Sequence, residues 1–361
     1  MLCPHLRFFR WFKSKPLSPI GPKRILDSLR KSSPDLRVLK LEAVALDSLC
    51  LLAVGALKRL EEITVKYPDG DQTAEVDIGF LLNISARPTL RQLSLEGKQL
   101  KIVLGSTSCI VHGPIHFPAL EFDCSLTMAT VIKLLRCATF PVLRNLWMCL
   151  YAAEMPDDAF HWHQFFDVIG NVTTKCFNAL QLVHLRGTLS PGCTFSFLPG
   201  LSSLSLTTFI FNAPIFNPIC RYDIATIINT WPLLDVLSVS FGGSSSSKLE
   251  FSILIDIAIG LPRLKHLQLS LDCHSLPDLD DIPIRSHDLH SLHLLIHPNP
   301  RQACNIAQIV DRLFPNLKQP LIYRNPGDSA IWGEVQDLIP ILQKARKHES
   351  TRIKSGNIQI E

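Results

Sequence analysis

Apolar residues along this chain return in one phrase, Leu-x-x-Leu-x-Leu, often led by an aromatic residue or leucine and a proline. It reads Pro34-Asp-Leu-Arg-Val-Leu-Lys-Leu41, Leu60-Glu-Glu-Ile-Thr-Val65 and Pro88-Thr-Leu-Arg-Gln-Leu-Ser-Leu95. It continues as Phe140-Pro-Val-Leu-Arg-Asn-Leu-Trp-Met148, Phe177-Asn-Ala-Leu-Gln-Leu-Val-His-Leu185 and Leu198-Pro-Gly-Leu-Ser-Ser-Leu-Ser-Leu206. Later copies are Trp231-Pro-Leu-Leu-Asp-Val-Leu-Ser-Val239, Leu261-Pro-Arg-Leu-Lys-His-Leu-Gln-Leu269 and Leu289-His-Ser-Leu-His-Leu294, with weaker ones from Phe117 and Phe314. The first leucines fall at 36, 60, 90, 120, 143, 180, 201, 234, 264, 289 and 317, separated by 21 to 37 residues and by about 28 on average. Eleven copies in loose register are hard to obtain by chance in a leucine-rich chain.

The alternation inside each phrase sends the leucines to one face of a short strand and their neighbours to the other. Between phrases the period becomes helical: Leu46, Leu49, Ala53 and Ala56; Trp162, Phe166 and Ile169; Ala303, Ile306, Val310 and Leu313. Pro156-Asp-Asp158 and Tyr222-Asp223 read as helix starts. The aromatic-proline pair reads as a helix stop, since proline lacks an N–H and restrains its predecessor. One strand and one helix per copy predict an α/β, irregular leucine-rich-repeat solenoid, with short parallel strands on the concave side and helices on the convex side. The place that usually holds a laddering Asn or Cys carries Val44, Lys98, Tyr151, Thr188, Phe209, Gly242 and Asp272, so curvature should be uneven. Gly242-Gly-Ser-Ser-Ser-Ser247 reads as a flexible loop and Pro277–Pro283 as an insertion.

Composition bounds this picture without changing it. Hydrophobic residues make up 47% and charged residues 19% of 361, enough for a large core. The longest apolar stretches, Leu49–Leu57 and Phe251–Leu261, are a short run and one interrupted by Asp256, so no membrane span is expected. The first 33 residues hold eight basic side chains against Asp27 alone, so with a net charge of +4 the remainder is slightly acidic. Nucleic-acid binding would show as a basic face on the body instead, and none is expected. Eleven cysteines without a Cys-x-x-Cys pair suit free thiols in a reducing, cytoplasmic or nuclear, compartment. Met1–Lys15 lacks a signal-peptide pattern; its acid-free, arginine-bearing start suits a mitochondrial presequence or a ragged, partly disordered end. The expected organisation is a basic segment over 1–33, the solenoid over 34–345 and a flexible tail over 346–361.

The phrases, of the type [Phe/Leu/Trp]-Pro-x-Leu-x-x-Leu-x-Leu, resemble the leucine-rich-repeat part of fungal F-box proteins over about residues 34–345. In that family an N-terminal F-box docks on an adaptor of a cullin ubiquitin ligase and the repeats present a substrate. The resemblance thus implies a protein substrate on the concave face, and an adaptor if an F-box lies upstream. The 33 residues before Pro34 spell no Leu-Pro-x-Glu phrase, and Pro22–Ser32 reads as one amphipathic helix through Ile25, Leu26 and Leu29. A second reading is a leucine-rich-repeat regulator of another enzyme, such as a small GTPase, with no role in ubiquitylation.

No catalytic chemistry is expected: the chain has no Gly-rich phosphate loop and no Gly-x-Ser-x-Gly elbow. No cofactor or metal is expected either. His287, His290, His293 and His297 could be a zinc set, but their spacing reads as solvated strand-surface histidines. His161 with His163, and His112 with His116, are weaker pairs, and Asp278, Asp280 and Asp281 read as a solvated loop before a cation turn. Function should therefore sit on the outward strand places. Asn145, Trp147, His184, Arg186, His266, Gln268 and His293 are the candidate protein-binding residues, since Trp and Arg most often anchor interfaces. For Trp147 the alternative is cover by the helical segment Phe160–Phe166.

Overall fold

The computed structural model describes residues 3–12, 20–44, 46, 48–67, 74–77, 84, 87–103, 119–126, 128–136, 140, 142–151, 158–172, 177, 179–186, 200–212, 219–240, 249–272, 274–295, 302–318 and 329–354. It is an α/β chain that divides into two compact units, Met1–Leu206 and Thr207–Glu361.

In the first unit the strands are β1 (Phe8–Phe12), β2 (Val38–Glu42), β3 (Glu62–Lys66), β4 (Ala74–Asp77), β5 (Gln92–Val103), β6 (Ala119–Leu126), β7 (Asn145–Tyr151) and β8 (Ala179–Arg186). They pair in parallel in the order β1-β2-β3-β5-β6-β7-β8, with β4 beside the far end of β5. Helices α1 (Ile20–Ser32), α2 (Ser48–Gly55), α3 (Met128–Arg136) and α4 (Asp158–Val172) lie between them in sequence. The second unit holds β9 (Thr208–Asn212), β10 (Val236–Ser240), β11 (His266–Ser270) and β12 (Ser291–Leu295), again parallel and in chain order. Its helices are α5 (Arg221–Thr230), α6 (Ile253–Gly260), α7 (Ala303–Leu313) and α8 (Ser329–Lys354).

Strand order explains where the core sits. Parallel crossovers are almost always right-handed. When successive strands lie side by side in chain order, such crossovers bring every helix to the same face. The fourth and sixth places of the phrases point to that face and are buried: Leu39 and Leu41, Ile63 and Val65, Leu93 and Leu95, Leu146 and Met148 in the first unit. Leu237 and Val239, Leu267 and Leu269, Leu292 and Leu294 do the same in the second. Burying one such side chain is worth about 1.5–3 kcal/mol. An exposed ion pair such as Arg352–Glu349, 3.4 Å apart, contributes about 0–1 kcal/mol. The apolar pair under each strand therefore decides its register.

A second device joins neighbouring strands at their entry. The carbonyl of each second place accepts two successive N–H groups of the next strand: Arg37 from Glu61 and Glu62, Asp235 from Lys265 and His266, Lys265 from His290 and Ser291. Helix exits are equally uniform. Trp231, Leu261 and Phe314, each followed by proline, end α5, α6 and α7 with φ of −129, −120 and −128° and ψ of 65, 66 and 64°. Each donates its N–H to the carbonyl four residues back and then accepts the N–H three residues on, so the proline's missing donor costs nothing there. At the equivalent place elsewhere a polar side chain reaches the preceding copy: Ser33 Oγ donates to the Cys3 carbonyl at 3.0 Å and Arg87 Nη1 to the Leu57 carbonyl at 2.7 Å.

Several expectations are revised. The amphipathic helix read over Pro22–Ser32 is present as α1, with Leu26 and Leu29 fully buried, whereas residues 8–12 of the basic segment form the strand β1, which was not expected. Helix α8 runs through the boundary placed at 345 and ends at Lys354. Three copies of the phrase start elsewhere than the leucine pattern suggests. Leu120 pairs with Leu93 and Leu146, and Leu180 with Leu146, so both occupy the fourth place, not the first. Fully buried Phe177 fills the first place before Leu180. Around Leu201 the chain forms a short turn, and the strand follows with Phe209 opposite Leu237; Phe209 is core, not a ladder residue. With these registers, paired strands lie 24 to 34 residues apart. The loop 242–247 lies outside the described residues.

Close backbone packing gives the first test. A Cβ on Gly170 of α4 would meet the Gly200 carbonyl oxygen at 2.3 Å, whereas one on Gly55 would meet nothing within 4 Å. Gly170→Ala should cost about 1–3 kcal/mol in urea unfolding, and Gly55→Ala should be neutral or mildly stabilising. Equal midpoints for the two variants would disprove the α4–Gly200 contact.

Candidate functional site

The third and fifth places of each strand face away from the helices. In the second unit they bring three of the sequence candidates together. His266 is exposed on β11 between Val236 and Ser291, and Gln268, half-buried, sits between Ser238 and His293. Ser238 Oγ donates to Asn212 Oδ1 at 3.1 Å, and His293 Nε2 lies 3.0 Å from Ser291 Oγ. The row across four strands is Ile210, Ser238, Gln268 and His293; Ser238 also reaches Asn212, two places along β9, and His293 reaches Ser291 of its own strand.

In the first unit Asn145 is exposed and Trp147 half-buried on β7, on the face opposite Leu146 and Met148. Phe165 and Phe166 of α4 are fully buried in the core. The neighbours of Trp147 across the sheet are Glu121 on β6 and Gln181 on β8. His184 does not share that row. The spacing read Leu180 as a first place and so put His184 fifth, but the pairing makes Gln181 the fifth-place residue. Arg186 pairs with Tyr151 at the far end of β8. The side chains of His184 and Arg186 lie outside the described residues, as do those of His161 and Trp162 and all of His112, His116 and His297.

One stretch of this face was missed. β1 sets Phe8 and Phe12, 51% and 67% exposed, on either side of Arg10. Arg10 Nε lies 2.8 Å from Glu42 Oε1, and this hydrogen bond, more than simple charge attraction, holds the Glu42 carboxyl below its usual range. The signal was present: Leu6-Arg-Phe-Phe9-Arg-Trp11 is the phrase with aromatics in two leucine places.

The histidine cluster resolves differently from its expectation. His287 is buried, not solvated: Nε2 donates to the Leu261 carbonyl at 2.8 Å, and Phe314 meets the ring edge-on at 5.3 Å. Its Nδ1 has no hydrogen-bond partner among the described residues. Burial pushes the His287 pKa down, against smaller upward pulls from the Leu261 carbonyl and Asp288. His290 Nε2 stands 3.2 Å from Lys318 Nζ and 3.4 Å from Asp288 Oδ1. Among the described residues no three His, Cys, Asp or Glu side chains come close enough to share a metal ion. Asp278 caps the short 3-10 turn Leu279–Asp281 by accepting from the Asp280 N–H at 3.1 Å. Nor is any described helix long and apolar enough to cross a membrane.

The paired strands of each unit run in chain order without reversal. Open parallel sheets bind ligands where the order reverses, and among the described strands neither unit offers that crevice. The sequence matches no protein-family model and no curated protein.

The buried imidazole makes stability pH-dependent. An unfolded histidine titrates near about 6.5, and His287 titrates lower in the fold. Between those values the unfolded chain takes the proton that the folded chain refuses, so stability falls as pH drops below about 6.5. His287→Gln keeps a donor for the Leu261 carbonyl and removes the titration. The loss in urea midpoint between about pH 7.5 and 5.5 should be smaller in this variant; an equal loss in both proteins would exclude His287 as its source.

Proposed function

We propose that this chain is a leucine-rich-repeat-type solenoid that binds a protein along the helix-free face of its sheet. The observation that carries the reading is that face itself. Parallel sheets are usually covered on both sides. Right-handed crossovers bring the described helices to one side of the strands in each unit, and the other side bears half-exposed places such as Trp147 in the first unit and Gln268 with His293 in the second. A parallel sheet left open in this way supports recognition of a macromolecular surface better than it supports enclosure of a small substrate.

The resemblance of the phrases to the repeat region of fungal F-box proteins gives the proposal its specific form: presentation of a substrate to a cullin ubiquitin ligase. The same open face would serve a regulator of a small GTPase. Affinity purification with mass spectrometry separates them. Co-purification of a cullin and its adaptor supports the ligase reading, and their repeated absence beside a stable GTPase partner rejects it.

Binding through the open face has its own test. Trp147→Ala, or the pair His266→Ala and His293→Ala, should weaken the captured partner by about 2 kcal/mol, with helix-face variants such as Lys133→Ala unaffected. Full affinity in both sheet-face variants would show that the partner docks elsewhere.

A further inference from the structure

A groove of about 610 Å³ lies in the second unit between α8 and the segment that follows α7. Nothing in the sequence signals it, because its walls are 21 or more residues apart and meet only through packing. α8 contributes Pro340, Gln343 and Lys347, spaced three and four apart and so on one helical stripe. The opposite wall is Pro315 to Lys318, with Asp288 at one end. The two walls are fixed to each other. Gln343 Nε2 donates to the Leu317 carbonyl at 3.2 Å, and Arg346 pairs with Asp311 of α7, a carboxylate left only 11% exposed. Val335 and Ile339 anchor the helix below.

The lining has two characters. Pro315, Leu317, Ile339 and Pro340 make an apolar floor, and Lys318 and Lys347, both exposed, stand over it. Asp288 is the sole acid of the lining, and it lies 3.4 Å from His290 Nε2, on which Lys318 also converges. Positive charge continues beyond the groove: from Lys344 to Lys354 the helix carries five basic residues against Glu349 alone. Residues 347–353 are exposed to solvent. An apolar floor under paired ammonium groups complements one chemistry, an acidic chain that also carries aliphatic side chains.

We propose that this groove binds a short acidic peptide segment of a partner protein, with an aliphatic side chain on the proline-lined floor and carboxylates at Lys318 and Lys347. It is a second site, separate from the open sheet face. The size fits a few peptide side chains. Lys318 and Lys347 stand over a shaped, partly apolar cleft, and that floor favours such a segment over a nucleic acid or an anionic bilayer.

The test is fluorescence anisotropy of the full chain with a labelled peptide of about twelve residues built from Glu and Leu. Saturable binding is expected, weakening about tenfold or more in the Lys318→Glu, Lys347→Glu double variant, and similarly when Gln replaces Glu in the peptide. Lys318→Gln with Lys347→Gln should fall between, and serves if charge reversal disturbs folding as seen by thermal melting. Lys58→Glu, exposed in the other unit, and Trp147→Ala should leave the affinity unchanged. The Trp147 control keeps failure here distinct from failure of the sheet-face reading. Absence of saturable binding, or equal affinity in the double variants, overturns the proposal. So does stronger competition by an oligonucleotide or phosphatidylserine vesicles than by unlabelled peptide.

Discussion

A five-residue parallel strand makes few hydrogen bonds, and water offers the same bonds to an unpaired chain. What distinguishes the native pairing is that a slip of one residue turns both buried side chains out to solvent. For β11 that means Leu267 and Leu269, fully or nearly fully buried, exchanging places with His266, Gln268 and Ser270. The cost is about 3–6 kcal/mol for the apolar pair, before any charge is placed under the sheet. Every other regularity depends on that constraint. Shared carbonyls at Arg37, Asp235 and Lys265 align only when the register is right, and the helix exits at Trp231, Leu261 and Phe314 deliver the next strand at the right depth.

The same constraint explains why function is pushed to one face. With leucines committed below the sheet and helices packed over them, the outward places carry no folding requirement beyond avoiding a second apolar surface. They are free to vary, and they do: Arg10, Lys40, Thr64, Ser94, Glu121 and Trp147 occupy equivalent places in consecutively paired strands. A surface built this way sets its partner by the sequence of a row, not by one constellation of catalytic groups.

How much of this was legible follows from how local each feature is. Strand and helix alternation could be read because period two and period 3.6 are written in neighbouring residues. Register was legible where leucines marked it and failed where aromatics stood in: Phe177 and Phe209 do the work of leucine, so Leu180 and Leu201 were taken as first places and His184 was put in the wrong row. β1 was overlooked for the same reason, its Phe9 and Trp11 hidden among basic residues. His287 reads as polar and solvated in sequence. It is buried because one bond to the Leu261 carbonyl satisfies its donor and the Phe314 edge covers the ring. The groove beside α8 has no sequence signature, since its lysines, Lys318 and Lys347, are 29 residues apart.

Arg346 shows how the end of the second unit is both fold and site. Its guanidinium meets Asp311, which sits on the buried side of α7. Burial lowers the pKa of Arg346, yet an arginine stays charged at any physiological pH. The pair is therefore permanent, and removing the arginine would strand a carboxylate in the core. α8 is thus held at Arg346 while Lys347, the next residue, points its charge to the groove. One position supplies rigidity and its neighbour supplies recognition. That division is possible because successive helix residues lie about 100° apart, so a helix can be bolted down on one side without surrendering the other.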